Sequence, residues 1–529
     1  MELRGLGLLY NAADLFIDEN VNRGLGEKVA IYYRDQLIRY QDLQEKVNQA
    51  GNMLRELGYK MEDRIVMVCH DTPEFIYVFF GAIKIGAVPI PVNTMMQPSD
   101  YEYFLNNSRA KGLIIHEDLW ANIQHLKDRF LFLEHIIVIN ENANKLPDGT
   151  IDFYRLLNLA SKMLETAPTN RDDAAFWLFS SGSTGAPKGI IHLQHDMEYA
   201  LNTYAKQVLF ITEEDRCLSA SKLYFAYGLG GGMYFPLGVG ASTVLVKERP
   251  SPETMFQAIE TYKPTIFFGV PTLYGAMIDY ALKTGKRFDL SSLRVCVSAG
   301  EALPPAFYRK WKELYNVDIL DGIGSTEALH IFISNRIGDV KEGSSGKVVP
   351  GFDVKIIDNQ GAELPPNEVG DLVVRGDCIA HGYWNLHEQN KKKFVGEWLR
   401  IGDKYYKDEE GYYWYCGRSD DMLKVGGIWV SPIEIENCLL QHDDVLEVAV
   451  VGAKNEKNLV IPKAFVVLKD GIEGSKEKEE ELKNFAKQHL AHYKCPRIIE
   501  FIDELPKTAT GKIQRFKLRE LLKTNAVHR

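Results

Sequence analysis

The sequence predicts an α/β fold divided into more than one domain. Three observations predict it: a length of 529 residues, an alternation of strand-like and helix-like segments through the first half, and a change of texture after Gly346. A single hydrophobic core stops growing at roughly 250 to 300 residues, so a chain of this length splits. The expected layout is a large N-terminal domain of helix-covered β-sheets with a β-rich subdomain, residues 1–419, followed by a small α+β C-terminal domain, residues 420–529.

Each part of that layout has a local cause. Thr72-Pro73 reads as a helix start, with Thr72 as the cap and Pro73 in the first turn, where its missing N–H costs nothing. That helix is expected to run to Gly86. The apolar stretch from Phe75 to Val92 contains Lys84, Gly86, Pro89 and Pro91, so it reads as a buried helix followed by a strand and not as a membrane span. Further strand signals lie at Gly112 to His116, Ile136 to Ile139, Ala174 to Phe179, Thr265 to Phe268 and Leu293 to Ser298. Turn or helix material follows each, which is the pattern of sheets covered by helices. From Gly346 the runs GKVVPGFDVKIID, GDLVVRG and GYYWYCGR, separated by Gly, Pro and Asn, predict the β-rich subdomain. Beyond Arg418 come IEIENCLLQ, LEVAVVG, AFVVLKD and a charged helix from Lys476 to His489, which place the domain boundary near Asp420.

Composition narrows the function classes. A hydrophobic content of 45% and a charged content of 25% are those of an ordinary globular protein. A net charge of -10 argues against a general nucleic-acid binder, which needs clustered Lys and Arg to displace counterions. One local basic excess, between Lys507 and Lys523, reads on charge alone as a solvated helix. The seven scattered cysteines form no CxxC pair, so neither a disulfide framework nor a zinc site is expected. The first residues, MELRGLGLLYNAADLF, lack the layout of a secretory signal. The expectation is a cytoplasmic protein, a monomer or homodimer, with neither nucleic acid nor membrane as partner.

The strand Ala174 to Phe179 runs into Ser180-Ser181-Gly182-Ser183-Thr184-Gly185-Ala186-Pro187-Lys188-Gly189. Glycines let backbone approach a polyphosphate, hydroxyls donate hydrogen bonds to it, and Lys188 adds a positive charge. A kinase- or ATPase-type loop has Gly-Lys followed by Ser or Thr and then a helix. Here Pro187 precedes the lysine and the strand-like Ile190-Ile191-His192-Leu193 follows, so the loop is of another class.

That loop resembles the signature of the adenylate-forming superfamily, which includes acyl-CoA synthetases, and further motifs in the family's order extend the resemblance over nearly the whole chain. Ser298-Ala299-Gly300-Glu301-Ala302-Leu303-Pro304 is similar to the segment that lies along the adenine. Asp321-Gly322-Ile323-Gly324-Ser325-Thr326-Glu327 is similar to the next motif. There the resemblance implies that Asp321 bonds the adenine amino group, Thr326 contacts the α-phosphate and Glu327 holds Mg²⁺. The position of Ile323 is usually aromatic in the family, so a stacking contribution of about 0.5 to 1.5 kcal/mol is absent here. Asp403, in Leu399-Arg400-Ile401-Gly402-Asp403, matches the residue that chelates the ribose hydroxyls, and Gly417-Arg418-Ser419-Asp420-Asp421 matches the hinge. Pro506-Lys507-Thr508-Ala509-Thr510-Gly511-Lys512 resembles the C-terminal lysine motif.

The resemblance implies ATP, Mg²⁺ and coenzyme A as cofactors and a two-step reaction. An ionised carboxylate attacks the α-phosphate of ATP, with Lys188, Mg²⁺ held through Glu327, the hydroxyl loop and Lys512 offsetting the repulsion of like charges and Thr326 contacting the α-phosphate. The CoA thiol then attacks the acyl-adenylate. In the family the small domain is mobile and swings about the hinge between the steps, so Asp420 is the expected pivot, and Gly426 and Gly427 are expected to line the pantetheine tunnel. Lys494 and Arg497 are either partners of CoA phosphates or plain surface charges.

Lys222-Leu223-Tyr224-Phe225-Ala226-Tyr227-Gly228-Leu229-Gly230 corresponds to the family region that lines the acyl pocket, and together with the stretch from Gly322 to Phe332 it most resembles benzoate-CoA ligases. Aromatic walls with small Ala226 and Gly228, beside Tyr227 and His330, suit a flat apolar ring. His330 borders that ring or packs in the core. An alicyclic acid such as cyclohexanecarboxylate fits a slightly deeper pocket, and one buried methylene, about 0.8 kcal/mol, separates the two. The other readings are the same reaction run towards ATP, loading of a carrier protein, and a nucleotide sensor on this fold. His192, His195 and Cys296 read as packing or surface residues.

Overall fold

Two large sheets carry the N-terminal part of the chain in the computed structural model, which describes residues 9–142, 146–180, 186–419, 421–425, 428–455, 459–507 and 513–527. The first has nine strands among the described residues, in the order Lys347–Val348, Ile331–Ser334, Ile319–Gly324, Val295–Ser298, Ile266–Gly269, Arg216–Ser219, Ser242–Val244, Val29–Tyr33 and Gln36–Arg39. Its centre is parallel and its two edges are antiparallel. The second sheet is parallel throughout, in the order Val88–Pro91, Arg64–Val68, Gly112–His116, His135–Ile139 and Ile151–Asp152. Central strands of both are buried on both faces, which explains their continuous Val and Ile runs.

The helix after Thr72 spans Pro73–Lys84, as its proline predicts. Thr72, however, makes no capping hydrogen bond with its side chain; its Oγ1 lies 3.4 Å from His116 Nε2 instead. Lys84, the one charge inside that apolar stretch, is buried against Asp18. No helix among the described residues is long and apolar enough to cross a membrane.

The texture change after Gly346 corresponds to a third sheet built from Asp353–Ile357, Gly370–Arg375, Trp398–Lys407, Phe394–Val395 and Tyr413–Arg418. The small C-terminal domain packs the helices Pro432–Leu439 and Lys476–His489 on one face of a sheet formed by Val445–Lys454, Val460–Leu468 and Ile498–Phe501. Leu518, in the helix Arg515–Val527, packs on the other face. The basic stretch near the C-terminus is only partly a solvated face, since Lys507 and Lys517 are exposed but three of its charges are paired. Lys507 pairs with Glu447, Arg515 with Glu436 and Arg519 with Asp421, so these charges join the last helix and the segment before it to the rest of the domain.

Candidate active site

A cleft of about 2300 Å³ opens between the large sheets and the small domain, and residues of every described motif line it. The strand Ala174–Ser180 and the strand Lys188–Leu193 form an antiparallel hairpin in which Ser180 sits opposite Lys188. Ser181, Gly182, Ser183, Thr184 and Gly185 lie outside the described residues, as do Asp420, Gly426, Gly427 and Lys512. The strand Gly382–Tyr383 pairs with Ile190 and Ile191 on the hairpin's far side. That pairing brings the Tyr383 ring beneath the Lys188 ammonium, 5.0 Å from its centroid.

Tyr383 also reaches the next motif. Its hydroxyl donates to Glu327 Oε1 at 2.6 Å, and both residues are buried. Burial pushes the Glu327 carboxyl up, but the Lys393 ammonium and the Tyr383 hydroxyl outweigh it and hold the group below its usual value. Glu327 is therefore an ionised carboxylate inside the protein. Its backbone is fixed too, since Ala380 N donates to the Glu327 carbonyl at 2.7 Å. His192 is a packing residue, as expected, with a positioning consequence: its Nε2 donates to the Thr326 carbonyl at 2.9 Å while Nδ1 contacts Asp196 at 2.8 Å. Leu329 holds a φ of 62°, a left-handed conformation that a bulky residue rarely adopts, in the turn joining these motif residues to His330.

Asp321 stands deeper in the cleft. Leu303 N donates to its Oδ2 at 3.3 Å, its Oδ1 has no hydrogen-bond partner among the described residues, and burial pushes the carboxyl up to about 8. An orphaned buried oxygen next to Gly300, Glu301 and Ala302 matches the need of an exocyclic amine for an acceptor. Gly300 has a φ of 98°, which favours glycine. Ile323 and Gly324 line the same wall, and a Cβ on Gly324 would come within 2.5 Å of the His330 carbonyl. Gly322 is similarly pressed against the neighbouring strand, where a Cβ would lie 2.7 Å from the Ile333 carbonyl. Ser325 accepts a hydrogen bond from Ala328 N at 3.1 Å.

On the opposite rim Asp403 and Arg418 are register partners on adjacent strands, their side chains 3.2 Å apart. The small domain reaches this cleft: Ile513 N donates to Glu301 Oε1 at 3.0 Å, and Lys283 pairs with Asp470 at 2.7 Å. Lys494 pairs with Glu434, and Arg497 donates to a backbone carbonyl of its own domain.

At the inner end of the cleft Ala226, Tyr227 and His330 come together. The Tyr227 hydroxyl lies 3.0 Å from the carbonyls of both Gly269 and Val297, and His330 Nε2 donates to the Tyr227 carbonyl at 3.3 Å. Burial pushes the His330 imidazole down to about 3, so the ring is neutral, and Tyr204, Tyr227 and Phe235 surround it. The expectation for Gly228 is corrected. It does not face the cleft, and a Cβ there would lie 2.2 Å from the Lys222 carbonyl and 2.3 Å from that of Ser221. The missing side chain makes room for protein backbone and not for a ring. Gly230 is the glycine against His330, where a Cβ would come within 2.5 Å of the imidazole. The wall is clamped from behind, because Asp71 accepts from Leu223 N at 3.1 Å and Lys222 donates to the carbonyls of Val246 and Glu248.

Two residues at the site escape sequence reasoning. Tyr383 has no distinguishing context beyond a Gly-Tyr-Trp string. Lys393 ends the run Lys391-Lys392-Lys393, which reads as a solvated helix end, yet it faces the cleft while Lys391 and Lys392 are exposed.

The comparisons agree with this geometry. Residues 17–384 match the AMP-binding enzyme family, and residues 434–512 match the AMP-binding enzyme C-terminal domain. The chain is 48% identical over 512 residues to the benzoate–CoA ligase of Thauera aromatica, covering 96% of each sequence. It is 40% identical over 514 residues to the 4-hydroxybenzoate–CoA/benzoate–CoA ligase of Rhodopseudomonas palustris, covering 97% of this chain and 94% of the relative. Among solved structures it superimposes on the anthranilate CoA ligase AuaEII in complex with anthranoyl-AMP with a TM-score of 0.94, at 42% identity and over 100% of both chains. With a benzoate CoA ligase from Burkholderia xenovorans LB400 the TM-score is 0.89, at 42% identity, over 97% of this chain and 100% of the other.

Proposed function

The chain belongs to the AMP-binding enzyme family, and from that premise we propose that it is an AMP-forming acid–thiol ligase that joins a benzoate-like aromatic acid to coenzyme A through an acyl-adenylate. The observation that carries the substrate is the inner end of the cleft, where a neutral His330, Tyr227 and Ala226 present no charge to match a second ionised group. An apolar end beneath a charged phosphate rim suits a ring whose single carboxylate points outward.

The proposed first half-reaction is a displacement at the α-phosphorus. The carboxylate oxygen forms a bond to the α-phosphorus and the bond to pyrophosphate breaks; no base is needed, since the acid is already ionised at neutral pH. Lys188 and the hydroxyl loop from Ser180 to Thr184 offset charge on the phosphates, Asp321 takes the adenine amine, and Asp403 takes the ribose hydroxyls. Glu327, held buried and ionised, is the donor for Mg²⁺, a cation that binds through one or two carboxylates together with phosphate oxygens. When bound, that ion neutralises charge developing on the departing pyrophosphate.

For the second half-reaction the domain boundary falls at Asp420, so that residues 420–529 turn about it. Lys512 then serves adenylation alone, and Gly426 and Gly427 line the path of the pantetheine arm. The thiolate attacks the acyl carbonyl and AMP leaves. A cytoplasmic setting belongs to the same proposal, in keeping with seven free, buried cysteines.

The test is kcat/KM across a panel of carboxylic acids with AMP formation followed in the presence and absence of CoA. Benzoate and compact six-membered-ring acids should lead acetate and palmitate. A higher value for palmitate, or no CoA-dependent product from any ring acid, overturns the reading.

A further inference from the structure

The helix His387–Lys393 ends on three consecutive lysines, and the chain passes directly into the hairpin of Phe394–Val395 with Trp398–Lys407. A helix C-terminus favours cations, which accounts for all three as surface charges. Lys393 departs from that role. Its ammonium donates to the Ile401 carbonyl at 2.9 Å, two residues before Asp403, and the side chain lines the cleft together with Lys188, Glu327, Asp403 and Arg418. An ammonium has three donors in a roughly tetrahedral arrangement, and the Ile401 carbonyl uses one. The side chain shares that rim with two carboxylates and two other cations, so these five groups together carry a net positive charge beside the motif residues of the cleft.

Resting on the adenylating activity proposed above, we infer that Lys393 is a phosphate-binding cation of the nucleotide site. It belongs to the N-terminal part and so keeps hold of the adenylate phosphate through both half-reactions. Lys512, in contrast, lies on the C-terminal segment that is proposed to turn away after adenylation. The site therefore retains a countercharge for the acyl-adenylate and for AMP when the small domain has moved. The Ile401 carbonyl anchors the ammonium in the absence of nucleotide and orients its free donors. Lys391 and Lys392, exposed on the same turn, carry no such role.

Three variants separate charge from scaffold: Lys393→Met removes both the charge and the hydrogen bond, Lys393→Gln keeps a donor for the Ile401 carbonyl without the charge, and Lys393→Arg restores the charge. The first readout is the equilibrium affinity for AMP, measured by calorimetry on the full-length enzyme with no acid or CoA present. Losing a charge-assisted hydrogen bond of this kind weakens binding by about 10- to 100-fold, and that loss is expected in both Lys393→Met and Lys393→Gln, with Lys393→Arg recovering most of it. The second readout is single-turnover rates of adenylation and of thioester formation from supplied acyl-adenylate, where both should fall in Lys393→Gln. Wild-type AMP affinity in Lys393→Gln, with loss only in Lys393→Met, would reduce the residue to a structural tie and overturn the inference. A defect confined to adenylation would overturn it as well. If the wild-type enzyme converts no ring acid, the functional reading fails, yet the AMP titration still decides the role of Lys393. Circular dichroism of each variant checks the fold, and Lys393→Gln keeps the question open to refutation should Lys393→Met misfold.

Discussion

Removing one oxygen from Tyr383 tests how the carboxylate of Glu327 is kept ready. Tyr383→Phe preserves the ring, and with it the contact to the Lys188 ammonium at 5.0 Å, so the change is confined to the hydroxyl that donates to Glu327 Oε1 at 2.6 Å. Hydrogen bonds to charged groups contribute about 1.5 to 3 kcal/mol, and a buried acceptor left short of a partner bears its desolvation cost as well. Lys393 still faces the carboxylate, so the loss is partial and the lower half of that range applies. At roughly 1.4 kcal/mol per tenfold, adenylation should slow by about 10- to 40-fold. The assay is single-turnover pyrophosphate release over a Mg²⁺ titration, beside thioester formation from supplied benzoyl-AMP. The first should slow and shift to higher Mg²⁺; the second should stay within about twofold. An unchanged Mg²⁺ dependence with full adenylation rate, or equal losses in the two steps, would refute the reasoning.

Other consequences follow from the same network. The Asp321 carboxyl, raised from 3.8 to about 8, keeps in the folded protein a proton that the unfolded chain releases above about pH 4, so its contribution to stability is lost as pH rises from 4 to 8. Asp321→Asn should therefore raise the melting temperature relative to wild type by a margin that widens from pH 5 to pH 8, towards roughly 4 kcal/mol at pH 7 at about 1.4 kcal/mol per unit; parallel pH profiles would contradict it. Glu436 accepts from Arg515 Nη2 at 2.8 and 2.9 Å and from Val450 N at 2.7 Å, and Glu436→Ala, by stranding a half-buried guanidinium, should cost about 3 kcal/mol in denaturant unfolding of the small domain. Gly230→Ala places a methyl 2.5 Å from His330 and, at about 1 to 3 kcal/mol of overpacking, should cut kcat/KM for benzoate roughly tenfold or more while leaving KM for ATP unchanged.

Much of the scaffold is legible in local pattern. The hairpin around the phosphate loop follows from a strand that restarts at Lys188, and the helix at Pro73 from the proline itself. What escapes local reading depends on partners remote in sequence. Thr72 has the residue type of a cap, but a histidine on a neighbouring strand lies beside its hydroxyl. Gly228 looks like room for substrate, yet only the folded loop shows that the backbone of Ser221 and Lys222 fills it. Lys393 is hidden in a charge run whose ordinary meaning is a solvated helix end, and its inward turn is visible only once Ile401 is beside it. The oxygen of Asp321 that lacks a partner among the described residues is likewise a property of burial, not of the motif.

The most direct measurement of the central claim is a two-stage single turnover. Enzyme, labelled benzoate, ATP and Mg²⁺ are mixed without CoA, the products are counted per active site, and CoA is then added. The account predicts one equivalent of pyrophosphate with benzoyl-AMP retained on the enzyme, followed on addition of CoA by AMP and benzoyl-CoA in equal amounts. ADP and phosphate in place of AMP and pyrophosphate, or benzoyl-CoA formed without an adenylate that chases into it, would contradict the account.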